Sequence, residues 1–239
     1  MKIFIKIFKI LIISGLIIFL YGFSAIRNTR KIPDKVAIKI TNDTHLFLPY
    51  KTVDKMLKQK IQTYNSATKE VVFLNDLEKT LQANTLVENA EVYRTIKGDL
   101  GVVIKQKTPI ARLLNNKNVY YIDSKGGKMP LSNNYSASVP LIEGVSNEKE
   151  LKDAYNLALY IYNDTFYSKQ IIGLRINSNK EFELKTRLGN AKVLLGSLDN
   201  MPLKLNNLKA YYLNAIQTKE VSKYKKINLK YSHQVVCTK

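Results

Sequence analysis

Seventeen consecutive residues, Ile10 to Ile26, carry no charge, and nothing comparable recurs in the 239-residue chain. A membrane-crossing helix needs about 20 apolar residues, about 17 at the least. Lys6 and Lys9 precede the run. Their stems can snorkel, so Ile3, Ile7 and Phe8 extend it. The pattern predicts a transmembrane helix at residues 10–26 behind a tail at 1–9. A cleaved signal peptide is the rival reading, with a small-x-small site at Gly22-Phe23-Ser24. Against it, the apolar run continues past that site to Ile26. Basic residues flank both ends (Lys2, Lys6, Lys9; Arg27, Arg30, Lys31), so the positive-inside rule is nearly balanced. The short tail favours an N-terminus in the cytoplasm and the body outside.

Residues 27–34 are basic, contain Pro33 and read as a linker. Val36, Ile38 and Ile40 then alternate as a strand. Asn42-Asp43 marks a turn. Val53, Met56, Leu57 and Ile61 fall on one helical face, with Thr52 as candidate N-cap. Residues 62–69 read as a loop. A second helix is expected from Asn75, capped with Glu78, placing Leu77 and Leu81 in the core and ending at Asn84-Thr85. Ala90, Val92, Arg94 and Ile96 share a strand face. A hairpin turn follows at Lys97-Gly98-Asp99, and then Leu100, Val102 and Ile104 alternate. Residues 35–107 thus read β-α-α-β-β.

Thr108-Pro109 opens residues 108–239, a second domain of mostly antiparallel strands with two helices. Strands are expected at 111–114 and 119–122, and a turn at Gly126-Gly127. The Pro-interrupted pieces at Met129–Leu131 and Val139–Ile142 suit sheet edges. A helix over 147–164 would bury Leu151, Tyr155, Ala158, Leu159 and Tyr162, with Glu148 and Glu150 in its first turn. Strands follow at 171–176, 182–188 and 191–196. Pro202 starts a helix with Leu205, Leu208, Tyr212 and Ala215 inward. The last strand is Tyr224–Tyr231, with Gln234–Cys237 after it.

The pattern is therefore α+β: one N-terminal span and about 205 residues in one or two domains. The net charge of +19 comes from 38 Lys and Arg against 19 Asp and Glu, and only six of the 38 are Arg. No basic run interleaves aromatics. The charge reads as a Lys-rich exterior facing an anionic membrane or wall polymer, not nucleic acid. Cys237, alone of its kind, forms no internal disulfide, and His45 and His233 are the only histidines. His233 and Cys237 would sit about 13 Å apart on a strand. Glu181 and Glu183 share a strand face, the arrangement a glycosidase would need, but Lys180 and Lys185 beside them favour a solvated face. Asn134-Tyr135-Ser136 and Asn163-Asp164-Thr165 match the glycosylation triplet, a frequent chance pattern. Nucleophile-elbow, P-loop, dinucleotide and zinc-protease motifs are missing from the sequence. The expectation is a binding protein without catalytic residues, metal ligands, cofactor or small-molecule substrate.

The stretch Leu77–Leu113 resembles the FtsQ/DivIB family of bacterial cell-division proteins. Val87, Ala90, Val92 and Arg94 match its V-x-x-A-x-V-x-R strand. Lys107, Pro109, Ile110, Ala111 and Arg112 match its basic-Pro-Ile-Ala-Arg element. YYIDSKGGKMPLS and VPLIEG (Val139–Gly144) resemble the start of its second domain. The resemblance implies a POTRA domain at 35–107 and an FtsQ-type β domain at 108–239. It also implies a non-enzymatic scaffold in the plasma membrane at the division septum. Such a scaffold would link early division proteins to septal peptidoglycan synthesis through FtsB- and FtsL-like bitopic partners. POTRA units also occur in envelope assembly and secretion proteins, but those carry a long barrel that the sequence after Ile142 does not contain. A secreted enzyme would need cleavage after Ser24. If the last strand has a free edge, Ile227, Asn228, Leu229, Lys230, Tyr231 and Ser232 would receive a partner strand by β-augmentation; the alternative is a plain sheet strand whose outer edge is covered by Gln234–Cys237. Ile227, Leu229 and Tyr231 would then share one face. Lys223, Lys225, Lys226 and Lys230 would favour an acidic segment.

Overall fold

The computed structural model describes residues 2–29, 35–41, 47–63, 70–96, 98–115, 118–231 and 234–239. Helix α1, Lys2–Thr29, is 28 residues long. At 1.5 Å per residue it exceeds the thickness of a bilayer's hydrocarbon core, about 30 Å. Its segment Lys6–Ala25 is long and apolar enough to cross a membrane, and none of it is buried. Beyond the expected residues 10–26, the helix takes in Lys2, Lys6, Lys9 and Arg27.

The chain divides into compact units Met1–Gln106 and Lys107–Lys239. The first contains β1 (Val36–Thr41), α2 (Tyr50–Gln62), α3 (Glu70–Gln82), β2 (Val87–Arg94) and β3 (Leu100–Gln106). The sheet order is β1-β3-β2, with β1 parallel and β2 antiparallel to β3. Val53, Leu57, Leu77, Leu81, Leu100, Val102 and Ile104 form its core. The alternating strands and helical spacings therefore point inward as expected.

Three local expectations change. Pro49, not Thr52, occupies the N-cap of α2, and it makes no side-chain cap. Helix α3 begins at Glu70, so Asn75 lies inside it. Glu78 is used elsewhere: its carboxylate accepts the Val92 N–H at 2.8 Å, while Gln82 Nε2 donates to Ala90 O at 3.1 Å. Helix α3 thereby satisfies the outer edge of β2, a covering that blocks edge-to-edge pairing. Ile96 leaves the strand face and stands fully exposed in the hairpin turn. The turn expected at Asn42-Asp43 lies outside the described residues, as do residues 64–69 of the loop expected at 62–69, whose first residue, Gln62, ends α2.

The second unit holds β4 (Pro109–Asn115), β5 (Asn118–Asp123), β6 (Lys128–Met129), β7 (Leu141–Glu143), α4 (Glu148–Asn163), α5 (Tyr167–Gln170), β8 (Ile171–Ile176), β9 (Phe182–Thr186), β10 (Lys192–Gly196), α6 (Met201–Gln217), β11 (Lys226–Asn228) and β12 (Val236–Thr238). One nine-stranded sheet runs β12-β11-β10-β9-β8-β7-β4-β5-β6. It is mixed: β4–β7, β7–β8 and β10–β11 are parallel, and the other pairs are antiparallel. The Pro-interrupted piece expected at Met129–Leu131 gives an edge strand, β6, that stops just ahead of Pro130. β7 is central instead. Pro140 lies just ahead of its ladder and supplies only a carbonyl, which accepts the Arg112 N–H at 2.9 Å.

One register row crosses eight strands: Tyr120, Leu113, Ile142, Leu174, Leu184, Val193, Ile227 and Cys237. All face a single core with α4, α5 and α6. Helix α6 buries Leu205, Leu208, Tyr212 and Ala215, as the spacing predicts. Helix α4 is rotated from expectation: Ala154, Leu157, Ala158 and Ile161 are buried, and Tyr162 is exposed. Tyr155 sits at the border of the buried face, where its hydroxyl donates to Ser124 O at 3.1 Å. Asn147 caps α4 by accepting the Glu150 N–H at 2.9 Å.

Candidate functional site

β12 forms one end of the large sheet. It is three residues long, and among the described residues no strand pairs with its outer side. Its inner side pairs antiparallel with β11 (Ile227 opposite Cys237, Asn228 opposite Val236), and β11 pairs parallel with β10. Cys237 ends the core-facing row. Val236 and Thr238 alternate to the other face and are exposed.

The expected partner-binding residues separate here. Ile227 and Asn228 belong to a strand bonded on both sides, so β11 has no free edge. Ile227 and Leu229 are core residues, buried to about 1% exposure or less. The Leu229 N–H donates to Leu194 O at 2.9 Å. The strand then ends, because Asn228 Oδ1 accepts the Lys230 N–H at 3.0 Å. Such side-chain bonding competes with a ladder and turns the chain. Tyr231 therefore leaves the face of Ile227 and Leu229 and is half exposed. Ser232, like His233, lies outside the described residues. A Leu229→Pro change, which an exposed strand would tolerate, would here remove a ladder bond and a core side chain.

The basic cluster is partly neutralised within the chain. Lys230 bonds the Glu181 carboxylate, and Lys223 bonds Glu220 at 2.7 Å. Lys225 and Lys226 are exposed. Beside β12, Tyr211, Asn214, Tyr224, Gln234 and Val235 border a hollow of about 470 Å³ between α6 and the segment entering the strand.

Burial pushes the Cys237 thiol above its ordinary pKa, so the reactive thiolate is disfavoured. The Lys230 hydrogen bond holds Glu181 below the usual carboxylate range. Burial alone would raise Glu183, but Lys192, with Nζ at 2.8 Å, and Asn177 outweigh it and lower its pKa. The two carboxylates shift in the same direction, whereas a glycosidase pair needs one raised as an acid. Among the described residues, no group of three or more His, Cys, Asp or Glu could hold a metal.

A family model described as FtsQ/DivIB, C-terminal related, matches residues 108–238. The chain belongs to this family. The match spans the second compact unit nearly from end to end and includes the edge strand β12. FtsQ/DivIB proteins are non-catalytic cell-division proteins, and membership associates this chain with division. No curated protein matches the sequence.

The strand expected to present a free edge is covered on its outer side, and the alternative reading, in which Gln234–Cys237 covers it, matches the pairing of β11 with β12. Three residues of alternation are too few to decide between the two readings from sequence.

Proposed function

We propose that this FtsQ/DivIB-related protein is a non-enzymatic scaffold of the divisome, single-pass in the plasma membrane. Helix α1 is its anchor, with the N-terminus in the cytoplasm and residues 35–239 outside. Residues 35–107 act as a POTRA domain, a reading supported by their β-α-α-β-β order. The protein joins early division proteins to septal peptidoglycan synthesis by binding FtsB- and FtsL-like bitopic partners.

The observation that carries this reading is the family match over 108–238, which takes in a sheet edge with no neighbouring strand among the described residues. A partner segment adds to the outer side of β12, where main-chain hydrogen bonds supply affinity and alternate side chains supply selectivity. The three-residue length of β12 limits self-pairing. Lys225 and Lys226 favour an acidic segment, and Tyr231 offers an exposed aromatic contact near the same end. The other edges are less suited. Helix α3 covers β2, β6 has two residues followed by Pro130, and β1 lies outside the matched region. Anchoring confines scaffold and partners to one membrane, which raises their effective concentration.

Depleting the protein from its native cell tests the role. Filaments without septa are expected; unchanged division would contradict it.

A further inference from the structure

We infer that the β2–β3 hairpin tip is a membrane-contacting element that inserts Ile96 among the headgroups of an anionic phospholipid surface. The inference rests on the reading of α1 as a membrane anchor. Thr29 ends α1 and Val36 begins β1, so a stretched chain separates them by at most about 25 Å. The end of the three-stranded sheet where β1 starts is therefore tied close to the bilayer.

The register identifies what else lies at that end. Val36 pairs with Leu100, and Leu100 with Arg94. The Leu100 N–H also donates to Lys35 O at 3.0 Å. The hairpin turn thus projects from the tethered end. It is a defined structure: the Gly98 N–H donates to Thr95 O at 2.8 Å, and the Thr95 N–H to Asp99 O at 2.8 Å. Arg94 Nε donates to Gly98 O at 3.1 Å. A position in such a turn usually takes a polar residue or glycine. Here it holds isoleucine with its side chain wholly in solvent, 107% exposed.

A single exposed apolar residue would be ordinary. Ile96 is accompanied. One rung inward, Tyr93, Gly101 and Ala37 form a row across the sheet. The Tyr93 ring covers Gly101, where a Cβ would come within 2.4 Å of it, and Tyr93 is half exposed. An aromatic ring just behind an apolar tip matches the preference of tyrosine for the headgroup region. Lys35 is exposed at the same end, and Arg94 stands at the base of the turn. The sequence adds Arg30 and Lys31 in the tether, and Arg27 lies in the last turn of α1. Asp99 is the opposing charge in the turn. Basic groups around an apolar tip suit an interface rich in anionic lipid. The covalent tether keeps the tip at high local concentration, so a shallow insertion suffices.

The chain contains no tryptophan, which gives a direct test. Ile96→Trp in the full chain would be reconstituted into nanodiscs whose lipids carry bromine near the headgroup end of the acyl chains. Expected are blue-shifted emission, strong bromine quenching and protection from aqueous acrylamide in phosphatidylglycerol discs, all weaker in phosphatidylcholine and with Lys35→Glu. Phe19→Trp within α1 reports anchoring, and Leu213→Trp on α6 reports nonspecific attraction of tryptophan. Quenching of Phe19→Trp with a water-exposed Ile96→Trp overturns this inference and leaves the anchor standing. If neither is quenched, the anchor reading fails and the inference with it. Equal quenching of Ile96→Trp and Leu213→Trp, or quenching indifferent to lipid charge, also overturns it.

Discussion

Gly144→Ala is expected to destabilise the second unit by about 3 kcal/mol or more, the largest loss from any single methyl group discussed here. Gly144 ends the motif VPLIEG immediately after β7. Its φ is +84°, a conformation an alanine adopts only with strain. A Cβ there would lie 2.2 Å from the Ile176 carbonyl oxygen. That oxygen belongs to the backbone at the end of β8, so it cannot swing aside as a side-chain tip could. Relief requires moving β7 away from β8, at the centre of the nine-stranded sheet. Urea unfolding of the detergent-solubilised chain should show a midpoint lowered by about 1–2 M. An unchanged midpoint would mean that the β7–β8 junction is looser than described.

Removing residues 236–239 should have the largest effect on function. The truncated chain should keep its fold, because β12 contributes one partly buried core residue, Cys237, flanked by exposed Val236 and Thr238. Losing that partial burial costs about 1–2 kcal/mol. Partner capture should be lost, since β11 would end the sheet without β12's outer edge. Co-purification of an FtsB-like partner from membranes and complementation of depleted cells would both report this. Tyr231→Ala should weaken capture more mildly. A truncated chain that still complements and still co-purifies the partner would move the binding site elsewhere.

What the sequence made legible follows the range of the interactions involved. Local periodicity was sufficient for α1, for Leu77 and Leu81 in α3, and for all four expected inward residues of α6. The strand expected at 171–176 matches β8, and that expected at 182–188 ends early at Thr186, with Glu183 buried beside Phe182 and Leu184 rather than on a solvated face. Longer-range pairings were not readable. β7 holds three residues between parallel neighbours from distant parts of the chain, and a nearby Pro140 made it look like an edge. Only the observed register shows that the proline precedes the ladder. Side chains that serve the backbone also escaped detection. Glu78 reads as a capping residue but completes β2, and Asn228 reads as a strand residue but stops β11. That last substitution of roles displaced the candidate site. The alternation of Ile227, Leu229 and Tyr231 suggested one long exposed strand, whereas Asn228 ends it after three residues and β12 covers it.

A photocrosslinking amino acid at Val236 tests the central claim most directly. The position is exposed on the outermost strand, within the family-matched region. In dividing cells it should trap a small bitopic division protein through an extended acidic segment, whereas a crosslinker at exposed Lys149 on α4 should not. No adduct from Val236, or the same adducts from both positions, would contradict capture of a division partner at the β12 edge.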